Sequence, residues 1–307
     1  MKKLILTFAA AAALITAAVP FSASAESEVK TSAVNGAVYS YTGWDSPEMT
    51  ITITGVSGVS GNLDIPDSIG GYMVTAIGAK AFYGKNISSV VIPDTVTGIG
   101  DGAFKGCVEL EKVTIPNSVK YIGDEAFMGC ISLKEAEIGS GVKDIPTSCF
   151  YACSDLENVV LPAELESIGS EAFFSCPYAK MTIPSTVTSI GYDAIGKKPD
   201  AHSGSAENVD GYLIIGTAGS YAEKYASKYH IDFIDPENCL LGDVNGNGKV
   251  EATDASAVLT EYARASTGAM LTFTMRQQFI GDFNESGSVN ASDASAILAE
   301  YARLSTK

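Results

Sequence analysis

The chain has 307 residues, with 20 Lys and Arg against 36 Asp and Glu, a net charge of −16 and only 2 histidines. That acidity argues against a nucleic-acid backbone as partner, since such contacts need clustered Lys and Arg to release counterions. His202 and His230 leave little room for a histidine zinc site or a nucleophilic triad, while a 46% hydrophobic fraction suffices for a core in two or more folding units.

Lys2 and Lys3 precede an apolar run over residues 4–19, followed by Pro20 and Ala23-Ser24-Ala25. A positive head, an apolar middle and a small-x-small site are the layout of a secretory signal peptide, so residues 1–25 are expected to be removed. The alternative, a retained anchor, is opposed by length: the run has 16 residues where a span needs roughly 20. Residues 26–64 read as N-terminal cap strands. There Met49, Ile51 and Ile53 alternate with Thr50, Thr52 and Thr54, the period of a half-buried strand.

Residues 65–195 repeat themselves about every 23 positions. One marker is Ile65-Pro66, Ile92-Pro93, Ile115-Pro116, Ile138-Gly139, Leu161-Pro162 and Ile183-Pro184. A second is Ala81-Phe82, Ala103-Phe104, Ala126-Phe127, Cys149-Phe150 and Ala172-Phe173. Cys107, Cys130, Cys153 and Cys176 form a third, and Ile87, Leu110, Leu133, Leu156 and Tyr178 a fourth. Such a period predicts a solenoid in which each unit buries its apolar face only against its neighbours.

Within one unit, Val113 and Ile115 are expected to point inward from a short strand, with Lys112 and Thr114 outward. Pro116 closes the strand because it cannot donate to a ladder. Val119 and Ile122 begin a second extended piece, Gly123 turns it, and Ala126-Phe127 dock a short helical turn on the core. Over about residues 61–235 the pattern resembles the BspA-like class of bacterial leucine-rich repeats. The resemblance implies a repeat solenoid of short strands plus turns or short helices. The match weakens at its end, where Tyr192-Asp193-Ala194-Ile195 replaces the Ala-Phe marker. Residues 196–235 are expected to cap it, with strands at 212–215 and 231–234 around a helix at 221–229, after a polar loop over 196–210.

The six cysteines invite a disulfide reading in a secreted chain. Four of them, however, share one repeat position, which stacks them about one inter-strand spacing apart with parallel Cβ vectors, poor geometry for bridging. Buried free thiols are the expectation there and at Cys149, with disulfides the alternative. Cys239 stands alone.

After a linker over 236–241 come two copies of an oxygen-rich loop. Asp243, Asn245, Asn247, Lys249, Glu251 and Asp254 fall at loop positions 1, 3, 5, 7, 9 and 12, with Gly248 at 6. Asp282, Asn284, Ser286, Ser288, Asn290 and Asp293 repeat the arrangement, with Gly287 at 6. Calcium takes about six to eight oxygen ligands, here from alternate side chains and the position-7 carbonyl. Position 12 is Asp rather than Glu, no helix is expected before the first loop, and near-identical helices follow both loops.

This duplicated loop-helix resembles a type I dockerin over 240–307, and residues 242–307 are assigned to it. The resemblance implies a small all-α module holding two calcium ions and binding a cohesin module of a scaffoldin. Family ligand roles fall on the twelve loop residues above, through the carbonyl at Lys249 and Ser288. Cohesin-recognition positions fall on Ala252, Thr253, Leu259, Thr260 and Arg264, and on Ala291, Ser292, Leu298, Ala299 and Arg303. The apolar stripes Ala255, Val258, Leu259, Tyr262 and Ala294, Ile297, Leu298, Tyr301 are expected to serve mostly as the module's own core. Leu259 and Leu298 are claimed by both readings.

Together these readings describe a secreted, non-catalytic component of a cell-surface cellulosome. Its solenoid would meet a protein partner, because the outward strand positions carry mixed charge and no aromatic ring. A glycan-binding or adhesin role is the alternative. A polysaccharide-degrading enzyme is a further one, against which stands the absence of cleft-forming insertions, Gly-x-Ser-x-Gly and His-Glu-x-x-His.

Overall fold

A computed structural model describes residues 29–43, 48–176, 180–201 and 203–306. The signal-peptide reading, Tyr178 and His202 lie outside the described residues. The fold opens with three antiparallel strands, β1 (Lys30–Val34), β2 (Ala37–Thr42) and β3 (Thr50–Ser57). Ile51 and Ile53 are buried in β3 and the intervening threonines half-buried. Met49 departs from the expected alternation: it precedes the strand in a left-handed conformation (φ 52°) and is 54% exposed.

β4 (Gly61–Asp64), β5 (Ser68–Ile69) and β6 (Tyr72–Ile77) lead into the repeats, β3 pairing in parallel with β6. Each repeat then adds a longer strand to one wall and a two-residue strand to another. These pairs are β7 (Ile87–Val91) and β8 (Gly98–Ile99), β9 (Lys112–Ile115) and β10 (Tyr121–Ile122), and β11 (Glu135–Ile138) and β12 (Asp144–Ile145). β13 (Asn158–Val160) and β14 (Ser167–Ile168), then β15 (Lys180–Thr182) and β16 (Ser189–Ile190), complete the series. The longer strands run parallel in the order β13-β11-β9-β7-β4, so Val90, Val113, Ala136 and Val159 form one inward column. Outward, Val91, Thr114, Glu137 and Val160 form the matching column.

The third side of each coil is a turn where a short helical turn was expected. Its N–H groups are used by the next repeat: Phe104 N donates to the Ala126 carbonyl at 2.8 Å, Phe127 N to Cys149 at 2.9 Å and Phe150 N to Ala172 at 2.8 Å. Inside this ladder the rings of Phe82, Phe104, Phe127, Phe150 and Phe173 stack at 4.9–5.3 Å, all fully buried. Beside them Cys107, Cys130, Cys153 and Cys176 are buried and free, each thiol donating to a phenylalanine carbonyl one repeat back. Cys107 Sγ lies 3.1 Å from the Phe82 oxygen and Cys176 Sγ 3.0 Å from that of Phe150. Gly123 is required by the close stacking of coils, for a Cβ there would sit 2.4 Å from the Asp101 nitrogen.

The polar stretch after the repeats forms a hairpin of β17 (Lys197–Pro199) and β18 (Ala206–Asn208). β19 (Leu213–Ile215), helix α1 (Tyr221–Tyr229) and β20 (Asp232–Ile234) follow, and β15, β19 and β20 form one parallel sheet. The chain ends in α2 (Ala252–Ser266), α3 (Met275–Gly281) and α4 (Ala291–Ser305), with α2 packed on α4. Thr274 and Gln277 close the start of α3 with reciprocal bonds, the side chain of each accepting from the other's backbone N–H.

Candidate metal centre and docking faces

The two oxygen-rich loops sit immediately before α2 and α4, and each is folded around two carboxylates. In the first loop Asp243 accepts from Asn247 N (3.0 Å) and Gly248 N (2.7 Å), while Asp254 accepts from Asn245 N (3.0 Å) and Glu251 N (2.9 Å). In the second, Asp282 accepts from Ser286 N (2.8 Å) and Gly287 N (2.7 Å), and Asp293 from Asn284 N (3.1 Å) and Asn290 N (2.8 Å). The matched set means that one backbone path is built twice. Gly248 and Gly287 occupy the left-handed turn of that path, at φ 83° and 89°.

Asp254 and Asp293 are fully buried and Asp243 nearly so. None of the ion pairs among the described residues involves any of the four loop aspartates. A buried carboxylate is costly unless charge and lone pairs are compensated. Two backbone donors per aspartate supply part of that compensation, and a cation would supply the rest. Among the described residues no three His, Cys, Asp or Glu side chains gather into a metal cluster. The candidate donors are instead a mixture of carboxylate, amide, hydroxyl and carbonyl oxygens, which fits a hard cation such as calcium and not a thiolate- or imidazole-seeking metal.

Thr253 and Ser292, predicted as partner contacts, also belong to the loops. Thr253 Oγ1 donates to Glu251 Oε1 (2.9 Å) and accepts from Asn245 Nδ2 (3.2 Å); Ser292 Oγ lies 2.6 Å from Asn290 Oδ1 and 2.8 Å from Asn284 Nδ2. The bonds from Thr253 and Asn247 hold the Glu251 carboxyl below its usual range.

The helices resolve the double claim on their apolar stripes. Ala255, Val258, Ala294 and Ile297 are buried, whereas Leu259, Tyr262, Leu298 and Tyr301 are 44%, 41%, 43% and 41% exposed. Half of the expected core is therefore surface, displayed almost identically by the two copies. Thr253, Thr260 and Arg264 are exposed, as are Ser292, Ala299 and Arg303; Ala252 is exposed and Ala291 half-buried. Sequence reasoning missed Glu261, a buried carboxylate that binds the chain returning to α3. Its spacing from Asp254 and Val258, two helical turns and one, was the available signal.

On the solenoid, Val91, Thr114, Glu137 and Val160 line a shallow trough of about 520 Å³ with Asp94 and Asn117. Lys112 pairs with Glu135 at 2.7 Å on the same face. Tyr151 and Phe174 stack on each other at 5.2 Å, with Phe174 buried, so they do not offer an open ring platform.

Comparison with known proteins agrees with this division. A family model described as BspA type Leucine rich repeat region matches residues 75–199 in six copies, and one for the Dockerin type I domain matches residues 241–297. The chain carries a BspA-type leucine-rich repeat region followed by a type I dockerin domain. Both are non-catalytic modules, typical of extracellular proteins, and type I dockerins are calcium-binding domains. Solved structures with similar repeats include a leucine rich cell surface protein from Faecalibacterium prausnitzii, 26% identical over 60% of this chain and 62% of that one, TM-score 0.42. Another is the T. pallidum leucine rich repeat protein, 26% identical over 61% of this chain and 71% of that one, TM-score 0.40. The chain thus spans less than two thirds of the first of these. No curated protein matches it. Among the described residues no helix is long and apolar enough to cross a membrane.

Proposed function

We propose that this chain is a secreted, non-catalytic component of a cellulosome-type assembly. Its dockerin attaches it to a scaffoldin cohesin, and the attachment depends on calcium. Asp243, Asn245, Asn247, Glu251, Asp254 and the Lys249 carbonyl would hold one ion. Asp282, Asn284, Ser286, Asn290, Asp293 and the Ser288 carbonyl would hold a second. When bound, the ions neutralise the loop carboxylates and fix the start of each long helix.

The observation that carries this reading is the pair of matched oxygen loops, each with a buried aspartate at its last position that joins none of the ion pairs among the described residues. The helices they orient present Leu259 with Tyr262 and Leu298 with Tyr301, an exposed apolar pair one turn apart on each, which suits a protein surface. The solenoid's outer face, with apolar Val91 and Val160 around Glu137 and the Lys112–Glu135 pair, supports a second protein partner over a glycan, which would need exposed aromatic rings. Calorimetry of the full chain against a panel of cohesins, with calcium and then with a chelator, tests the reading. Submicromolar binding lost on chelation is expected; binding indifferent to the chelator contradicts it.

A further inference from the structure

The C-terminal module and the last sheet of the solenoid share one hydrophobic core. β19 is buried on both faces. Ile214 joins the solenoid core, while Leu213 and Ile215, with Ile234 of β20, fall in a second cluster. That cluster also contains Val244 and Val250 of the first loop, Ile280 of α3 and Ile297 of α4. Met275 and Phe279 of α3 pack against it, as does Cys239.

The stretch joining the modules is pinned. Asp235 accepts from Ala218 N (2.8 Å), Asn238 Nδ2 (2.7 Å) and Glu237 N (3.0 Å), tying residues 236–238 to the loop before α1. A solenoid end needs a cap because its last coil has no neighbour to cover it. Here the uncovered side of the last sheet carries Leu213, Ile215 and Ile234, and the helical module lies on them.

We infer that the loop-helix module is the terminal lid of the solenoid as well as its attachment device, so that cation binding in the loops is linked to the stability of the repeats. The linkage rests on the calcium reading above. Its route is short. Val244 and Val250 lie between the oxygen residues of the first loop, and Phe283 and Val289 between those of the second, and all four side chains sit in or against the shared core. Without a cation the buried Asp243, Asp254 and Asp293 carboxylates lack full compensation, the neighbouring apolar side chains lose their fixed seats, and the lid loosens from β19 and β20.

The test uses the full chain, stripped with a chelator and titrated with calcium alone. Ion uptake is measured by calorimetry, and the state of the repeats by melting and by mass-spectrometric alkylation of Cys149, Cys153 and Cys239. With calcium, melting of the repeats should rise by about 5–10 °C and alkylation of Cys239 should slow by about tenfold or more. Phe279→Ala, which leaves every loop oxygen in place, should keep ion uptake and lose most of the rise. Calcium uptake with unchanged repeat melting and unchanged Cys239 alkylation overturns the lid and leaves the calcium reading standing. Absence of calcium uptake overturns both.

Discussion

Glu261 and Glu300 occupy the same position of a duplicated helix, 39 residues apart, and hold different partners. Glu261 is buried and accepts from Thr272 N (2.7 Å), Thr272 Oγ1 (2.8 Å) and Phe273 N (2.8 Å), which draws the chain after α2 back toward α3. Glu300 is half-buried on α4 and pairs with Arg303, Nε to Oε2 at 2.7 Å. The duplication is thus symmetric in its loops and exposed apolar residues, and asymmetric in what braces each helix.

Burial alone would push the Glu261 carboxyl upward, but the bonds from Phe273 and Thr272 outweigh it and hold it below the ordinary 4.5. A carboxyl depressed in the folded state contributes stability that is present above its unfolded value and lost as the pH falls through the folded one. The resistance of the C-terminal module to urea should therefore fall as the pH drops below 4.5. Glu261→Gln should cost about 1–3 kcal/mol at neutral pH and flatten part of that acid dependence. An unchanged pH profile in the variant would remove Glu261 from this role.

The two loops should differ in affinity. The first offers three carboxylates, Asp243, Glu251 and Asp254; the second offers Asp282 and Asp293. The second also places Glu285 in a left-handed conformation (φ 56°) where the first has Gly246 (φ 74°), at a cost of about 1 kcal/mol. Calcium titrations of Asp254→Asn and Asp293→Asn, each leaving one intact loop, should find the second site weaker. A tighter second site would refute this charge-counting.

Because Leu259 and Leu298 are equally displayed, either helix is expected to serve a cohesin. Leu259→Ala with Arg264→Ala should weaken binding only modestly, and adding Leu298→Ala with Arg303→Ala should abolish it, as measured by calorimetry. If Thr253→Ala with Arg264→Ala alone removes all binding, the second face is not used.

Two substitutions probe the repeats in thermal melts. Phe127→Ala, at the centre of the stacked rings, should cost about 3–5 kcal/mol. Ala152→Gly should stabilise by about 1 kcal/mol, since Ala152 sits at φ 57°, where the preceding repeats place Gly106 and Gly129. No gain there would mean that the surrounding turn tolerates the alanine without strain.

Burial pushes the Cys107 thiol up to about 11 and raises those of Cys130, Cys149 and Cys153 further. Native protein treated with a thiol reagent near neutral pH should therefore react at Cys239 before any of them. Fast labelling of Cys130 or Cys153 would contradict the closed ladder.

Much of this architecture was legible because it repeats. The period of about 23 brought the buried phenylalanines and cysteines into columns, and a coil that stacks on its own copy must align equivalent residues. The duplicated loops were legible for the same reason, as were β19, α1 and β20 from apolar runs and a helical stretch. The turn ladder was not, since an Ala-Phe pair docks equally well from a helix or a turn, and inter-coil bonding decides between them. Nor was the exposure of Leu259 and Tyr262, because an amphipathic stripe does not say which of its edges a neighbouring helix covers. The double burial of β19 was written in Leu213-Ile214-Ile215, an unbroken apolar run where a half-exposed strand would alternate.

The claim on which the rest depends is that these loops take up calcium. Titration of calcium into the stripped full chain should show two ions bound, the weaker lost in Asp293→Asn and the tighter in Asp254→Asn. A stripped chain that takes up none, or a double variant that binds as the native chain does, would contradict the account.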